Sequence, residues 1–198
     1  QEDSVTVNCP GALQAVCGAA SVSGTKIARY KPDGTQIGNT VVQVDLGGGK
    51  ILVMTLDAQD AVTEYAVQED SVTVNCPGAL QAVCGAASVS GTKIARYKPD
   101  GTQIGNTVVQ VDLGGGKILV MTLDAQDAVT EYAVQEDSVA VNCPGALQAV
   151  CGAASVSGTK IARYKPDGTQ IVNTVVQVDL GGGKILVMTL DAQDAVTE

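Results

Sequence analysis

Apolar and polar positions alternate along most of this chain with a period of two, and the alternating runs recur in the same order three times. In the first recurrence Ser4-Val5-Thr6-Val7-Asn8 predicts a half-buried strand with Val5 and Val7 inward. Thr25 to Tyr30 reads as a strand with one charged face. Lys31-Pro32-Asp33-Gly34 closes it, because proline at the second position and glycine at the fourth fit a type I turn. Thr35-Gln36-Ile37 then leads into a hairpin partner over Thr40–Leu46, where Val42, Val44 and Leu46 share a face opposite Gln43 and Asp45. Ile51 to Leu56 departs from the alternation: it is apolar on both faces, which predicts a central strand buried on two sides. A turn at Asp57–Asp60 separates it from a last strand over Ala61–Val67.

Two stretches are less direct. Ala12 to Ala20 fits a short helical turn framed by Pro10 and Gly18, with Leu13 and Val16 on one side, and it fits a strand with Leu13, Ala15 and Cys17 alternating. The strand reading is preferred because everything around it is β. Gly38 suggests a bulge, but Val172 stands at the same place in the third recurrence. A left-handed backbone is costly for valine, so Gly38 is expected to have ordinary strand dihedrals.

The recurrences are near-identical copies. Residues 1–67 return unchanged as 68–134, and again as 135–198 with Ala140 for Thr6, Val172 for Gly38 and no counterpart of Tyr65-Ala66-Val67. Identity this high marks recent duplication or construction, and the two scattered substitutions fit natural drift. The chain is therefore expected to be all-β, with three tandem units, 1–67, 68–134 and 135–198, stacked head to tail. Each is a small sandwich or barrel of about six strands. A unit this short is marginal alone, since a chain of about 60 residues buries only some 60% of its surface.

Composition agrees with a folded β chain: hydrophobic residues make up 45% and charged residues 17%, with no Phe, Trp or His. The net charge of −9 argues against nucleic acid and anionic lipid as partners. No apolar run approaches the roughly 18 residues of a membrane-spanning helix, and the N-terminus has no signal-peptide pattern.

Each copy carries two cysteines: Cys9 and Cys17, Cys76 and Cys84, Cys143 and Cys151. An intra-unit disulfide is the natural pairing, worth roughly 2–3 kcal/mol for so short a ring, and it implies an oxidising, extracellular setting. Bridges between copies, free thiols and metal binding are the alternatives. Zinc is disfavoured by the absence of histidine, and a redox pair by the spacing. Asp57, Asp60 and Glu64 form an acidic group that invites a Ca²⁺ reading, although aspartate is also an ordinary turn residue and no Asp-x-Asp-x-Asp-Gly loop is present. Gly47-Gly48-Gly49-Lys50 lacks the spacing, the hydroxyl residue and the following helix of a phosphate loop. A Lys–Asn isopeptide bond from Lys26 or Lys50 to Asn39 is conceivable but rests on common residue types. With no histidine and no activated nucleophile, an enzyme and a bound cofactor are not expected.

The copies meet without a linker, Glu64-Tyr65-Ala66-Val67 reaching Ser71 through Gln68-Glu69-Asp70 alone. Neighbouring copies must touch. As a pattern covering all 198 residues, the chain resembles prokaryotic tandem-β-repeat surface adhesin stalks and extracellular filament proteins. That resemblance implies a non-enzymatic structural protein of the cell surface that forms or spaces a fibre and associates with itself. Two alternatives stand beside it: closure into a three-fold, lectin-like carbohydrate-binding module using Tyr30 and Tyr65, and a designed symmetric scaffold. The third copy lacks part of its last strand, and completion by another chain's Ser4–Asn8 predicts head-to-tail strand addition.

Overall fold

The computed structural model describes residues 1–198. The chain is all-β, with twelve strands in one antiparallel sheet whose order follows the chain. The first four are β1 (Glu2–Asn8), β2 (Ser21–Tyr30), β3 (Gln36–Gly47) and β4 (Lys50–Leu56). They are followed by β5 (Val62–Asn75), β6 (Ser88–Tyr97), β7 (Thr107–Gly114) and β8 (Lys117–Leu123). The last are β9 (Val129–Asn142), β10 (Ser155–Tyr164), β11 (Thr174–Gly181) and β12 (Lys184–Leu190). Short helices α1 (Gln14–Cys17), α2 (Gln81–Cys84) and α3 (Gln148–Cys151) each follow a 3-10 turn. There are four strands per copy rather than about six. Thr35–Ile37 and Thr40–Leu46 merge into β3, and Ala61–Val67 does not end at the copy boundary but runs on through Asn75 as β5.

Gly11–Cys17 is helical, which corrects the strand reading of Ala12–Ala20. Pro10 starts the 3-10 turn, with the Leu13 N–H donating to the Pro10 carbonyl at 2.9 Å. Gly18 ends α1 at φ 79°, its N–H donating to the Gln14 carbonyl at 2.7 Å. A left-handed glycine closing a helix in this way decides against alternation. The inference about Gly38 is also corrected: Gly38 and Gly105 have φ 65°, and Val172 does not follow them. Strand extent does not follow this residue: β3 begins at Gln36, whereas β7, with Gly105, and β11, with Val172, begin at the equivalent Thr107 and Thr174. Valine avoids the left-handed region by a different local path.

The packed bodies are offset from the sequence copies. One compact unit joins Gln1–Val72 to Gly91–Val108, and the other joins Thr73–Ser90 to Val109–Glu198. In the first, Val42, Val44, Leu52, Met54, Leu56 and Tyr65 from the strands pack with Cys9, Leu13 and Cys17 of the helical segment, and Tyr97 packs against this cluster. Ile51, Val53 and Thr55 on the other face of β4 are half-buried, so Ile51–Leu56 is a core strand on one face only, which corrects the expectation of burial on two sides. In the second unit the same positions of copy two form an equivalent core, with Tyr164 packed against it, and a smaller cluster of Val176, Val178, Met188 and Leu190.

Strand register explains the offset. β4 pairs with the first half of β5, from Lys50 with Glu69 to Leu56 with Val62. In the other unit β9 shows both partners: Val129–Glu136 lies between β8 and the end of β10, and Val139–Asn142 pairs with the start of β10. The strand beside a β4-type edge is therefore the 62–69 segment. Ser4–Asn8, the donor segment expected from the sequence, corresponds to the other half, and Val5–Asn8 pairs with Ser21–Gly24 of β2. A bulge separates the halves, with Ser4, Ser71 and Ser138 at φ 61°, 59° and 59°.

Candidate functional site

The feature that recurs with a built geometry is the stapled helical turn and the arm that covers it. Four α-helical residues are too few to persist alone. Here a disulfide joins Cys9 to Cys17 with 6.5 Å between their Cα atoms, and the Cys9 N–H donates to the Ala20 carbonyl at 2.8 Å. The Gln14 side-chain amide reaches the Cys9 carbonyl at 3.5 Å. Cys76–Cys84 and Cys143–Cys151 repeat the arrangement, so all six cysteines pair within their own copy and none is free. Leu13 and Leu80 lie beneath the turn, each 1% exposed.

The cover over α1 comes from the following copy. Tyr97 packs on the first core, and Gly101, in the turn after it, lies so near that a Cβ there would stand 2.7 Å from the Ala12 Cβ. The counterpart over α2 is Tyr164 with Gly168, where a Cβ would stand 2.8 Å from that of Ala79. Glycine is required at this contact for closeness of approach. Beside each arm the Arg96 guanidinium donates to Glu64 at 2.6 Å and Arg163 to Glu131 at 2.8 Å. These partly exposed pairs are worth at most about 1 kcal/mol. The Glu64 hydrogen bond and charge hold the Arg96 pKa above its usual value. A groove of about 210 Å³ remains, lined by Ala15, Val16, Lys50, Glu69, Lys93 and Tyr97 among others.

The same parts are uncovered elsewhere. The arm of copy one has Tyr30 60% exposed and nothing near Gly34. The turn of copy three has Leu147 51% and Val150 60% exposed, and on β12 Ile185 is 67% exposed. Val196 bridges Leu190, and Thr197 and Glu198 exchange backbone hydrogen bonds with Thr189 at 2.8 Å, beginning a β5-like strand.

The acidic residues singled out from the sequence do not converge. One Asp57 oxygen accepts the Gln59 and Ala61 N–H groups at 2.9 Å and shapes the turn. Asp60 accepts from Lys26 at 2.9 Å, and Glu64 from Arg96. No group of three His, Cys, Asp or Glu side chains is placed to hold a metal ion. Asp33, Asp100 and Asp167 are turn acceptors too, and their carboxyl pKa values are lowered by the following Thr N–H and hydroxyl. Lys26, the isopeptide candidate, is held by Asp60, whose hydrogen bond raises its pKa.

On each unit lies a second, open groove, one lined by Thr25, Gln43, Asp45 and Asp70 among others, the other by Asp137, Thr159, Gln177 and Asp179 among others. Neither contains an aromatic side chain. Tyr65 and Tyr132 are each 3% exposed, and burial raises their phenol pKa. Sequence reasoning missed the Tyr97–Gly101 contact because Lys-Pro-Asp-Gly reads fully as a turn. Its one available signal was a large aromatic, Tyr30, at the mouth of that turn. Neither a protein-family model, a curated protein nor a solved structure matches the chain.

Proposed function

We propose that the chain is a non-enzymatic structural protein of the extracellular surface, whose tandem units form or space a fibre and associate with one another. The observation that carries this reading is β5, one unbroken strand whose first half belongs to copy one and second half to copy two. Load across a copy boundary then passes through paired strand and packed core rather than through a linker. Three disulfides support an oxidising compartment, and no helix is long and apolar enough to cross a membrane. The acidic charge disfavours nucleic acid as a partner.

A carbohydrate-binding reading asks for an exposed aromatic platform in each copy, and Tyr30 alone has that exposure. Negative-stain microscopy of the purified chain is expected to show rods or filaments. Compact particles with three-fold symmetry, or copy-dependent binding on a sugar array, would sink the fibre reading.

A further inference from the structure

We infer that each compact unit is a site of oxidative modification, where a one-electron oxidant joins the rings of Tyr132 and Tyr164, and of Tyr65 and Tyr97, as dityrosine. Tyr132 and Tyr164 stand directly opposite each other on β9 and β10. Opposed residues of an antiparallel pair share a face, with Cβ atoms about 4.5–5.5 Å apart, and both of these side chains join the same core. Tyr65 and Tyr97 are likewise the two tyrosines of the other core. In each pair one ring is sealed and its partner is reachable. Tyr65 and Tyr132 are 3% exposed, whereas Tyr97 and Tyr164 are half-buried and line open grooves of about 210 and 190 Å³. Tyr65 belongs to copy one and Tyr97 to copy two, Tyr132 to copy two and Tyr164 to copy three, so each bond ties consecutive copies together covalently. The inference concerns the single chain and does not rest on the fibre reading.

The co-reactant is a diffusible one-electron oxidant of the kind that peroxidases release. Each phenol gives up one electron and its hydroxyl proton. The two phenoxyl radicals join through the ring carbons ortho to oxygen, and the hydrogens on those carbons move to the oxygens, restoring both phenols. One carbon–carbon bond has formed, two protons have gone to solvent, and two equivalents of oxidant have each been reduced by one electron. The reachable ring is oxidised first and draws an electron from its sealed partner, and its second oxidation completes the radical pair. Three disulfides place the chain in the oxidising kind of setting where such a reagent persists.

Tyr30 is 60% exposed and is replaced in the test chain, Tyr30→Phe, so that coupling between chains stays out of the readout. This chain, dilute and folded, is oxidised by ruthenium tris-bipyridyl and persulfate under light, then reduced, digested with trypsin and mapped by mass spectrometry. The four tyrosine peptides are distinguishable, because Thr73 and Ala140 mark those of Tyr65 and Tyr132, and Gly105 and Val172 those of Tyr97 and Tyr164. Dityrosine fluorescence is expected, with two hydrogens lost per bond and with Tyr65 linked to Tyr97 and Tyr132 to Tyr164. Methionine oxidation adds oxygen instead, so mass separates the two reactions. Adding Tyr164→Phe is expected to remove the second link and keep the first, and the reduced chain unfolded in urea is expected to give mixed pairings. Three results each overturn the inference: other pairings dominating in the folded chain, the same two links at equal yield in the unfolded chain, or no dityrosine at a dose that couples a free tyrosyl peptide.

Discussion

Leu13, Leu80 and Leu147 occupy identical local sequences, and truncating each to alanine separates local from tertiary effects. Leu→Ala removes about three methylene equivalents at about 0.8 kcal/mol each, or roughly 2.4 kcal/mol of transfer energy. Leu13 and Leu80 are 1% exposed, and the closed site adds a cavity term, giving about 3–4 kcal/mol. Leu147 is 51% exposed, so about half the transfer energy is realised and the open site leaves no cavity; about 1 kcal/mol is expected. Urea unfolding of the oxidised chain, followed by circular dichroism at concentrations where it is monomeric, measures the three costs. Leu13→Ala and Leu80→Ala should exceed Leu147→Ala by about 2 kcal/mol or more. Equal costs in dilute solution would refute the reasoning, since they would place the third turn under a cover in the lone chain. A Leu13→Ala cost below about 1 kcal/mol would show that α1 is not held by the arm and core.

Gly24→Ala should destabilise by about 2–3 kcal/mol in chemical denaturation, because a Cβ there meets the Gln43 backbone carbonyl well inside van der Waals contact and stands 2.7 Å from a Val44 methyl; a neutral result would mean β2 and β3 lie farther apart. Gly38→Val should cost about 1–2 kcal/mol and shift the amide resonances of Gln36–Asn39 toward those of Gln170–Asn173, the path valine already takes. Alkaline titration should weaken the fold. Burial raises the Tyr65 and Tyr132 pKa values above 10.0, so the unfolded chain releases those protons first; this stability is full below pH 10.0 and is lost as pH rises through the folded values. The double Tyr65→Phe, Tyr132→Phe variant should lose less stability over that range. On the acid side, Asp33, Asp100 and Asp167 sit below 3.8, so their contribution is present above pH 3.8 and is lost as pH falls through the lowered values; Asn at all three positions should flatten that limb of a Tm–pH curve.

Much of the fold was legible because its signals are short-ranged. The alternation of Val42 and Val44 against Gln43 and Asp45 placed the core face of β3, and the Cys9–Cys17 spacing gave the disulfide. The aspartate turns were legible too, since a carboxylate accepting an N–H two residues on is a local event. Two local readings failed for lack of a deciding neighbour. Ala12–Ala20 fits either period until Gly18 takes up its left-handed cap, and Gly38 shares a position with Val172 without sharing a conformation.

By itself the sequence determined an all-β chain, its three-fold repetition and its aspartate turns, and it favoured, without deciding, disulfides within each copy. Tertiary structure decided which copies are covered. Leu13 and Leu147 are the same residue in the same local sequence, yet one lies in a core and the other half in solvent. Burial depends on what a neighbouring element places over a side chain, and that element arrives from about 80 residues further along the chain. Periodicity cannot report such a contact. It arises from β5 running through the copy boundary and from an arm that packs on the copy before its own.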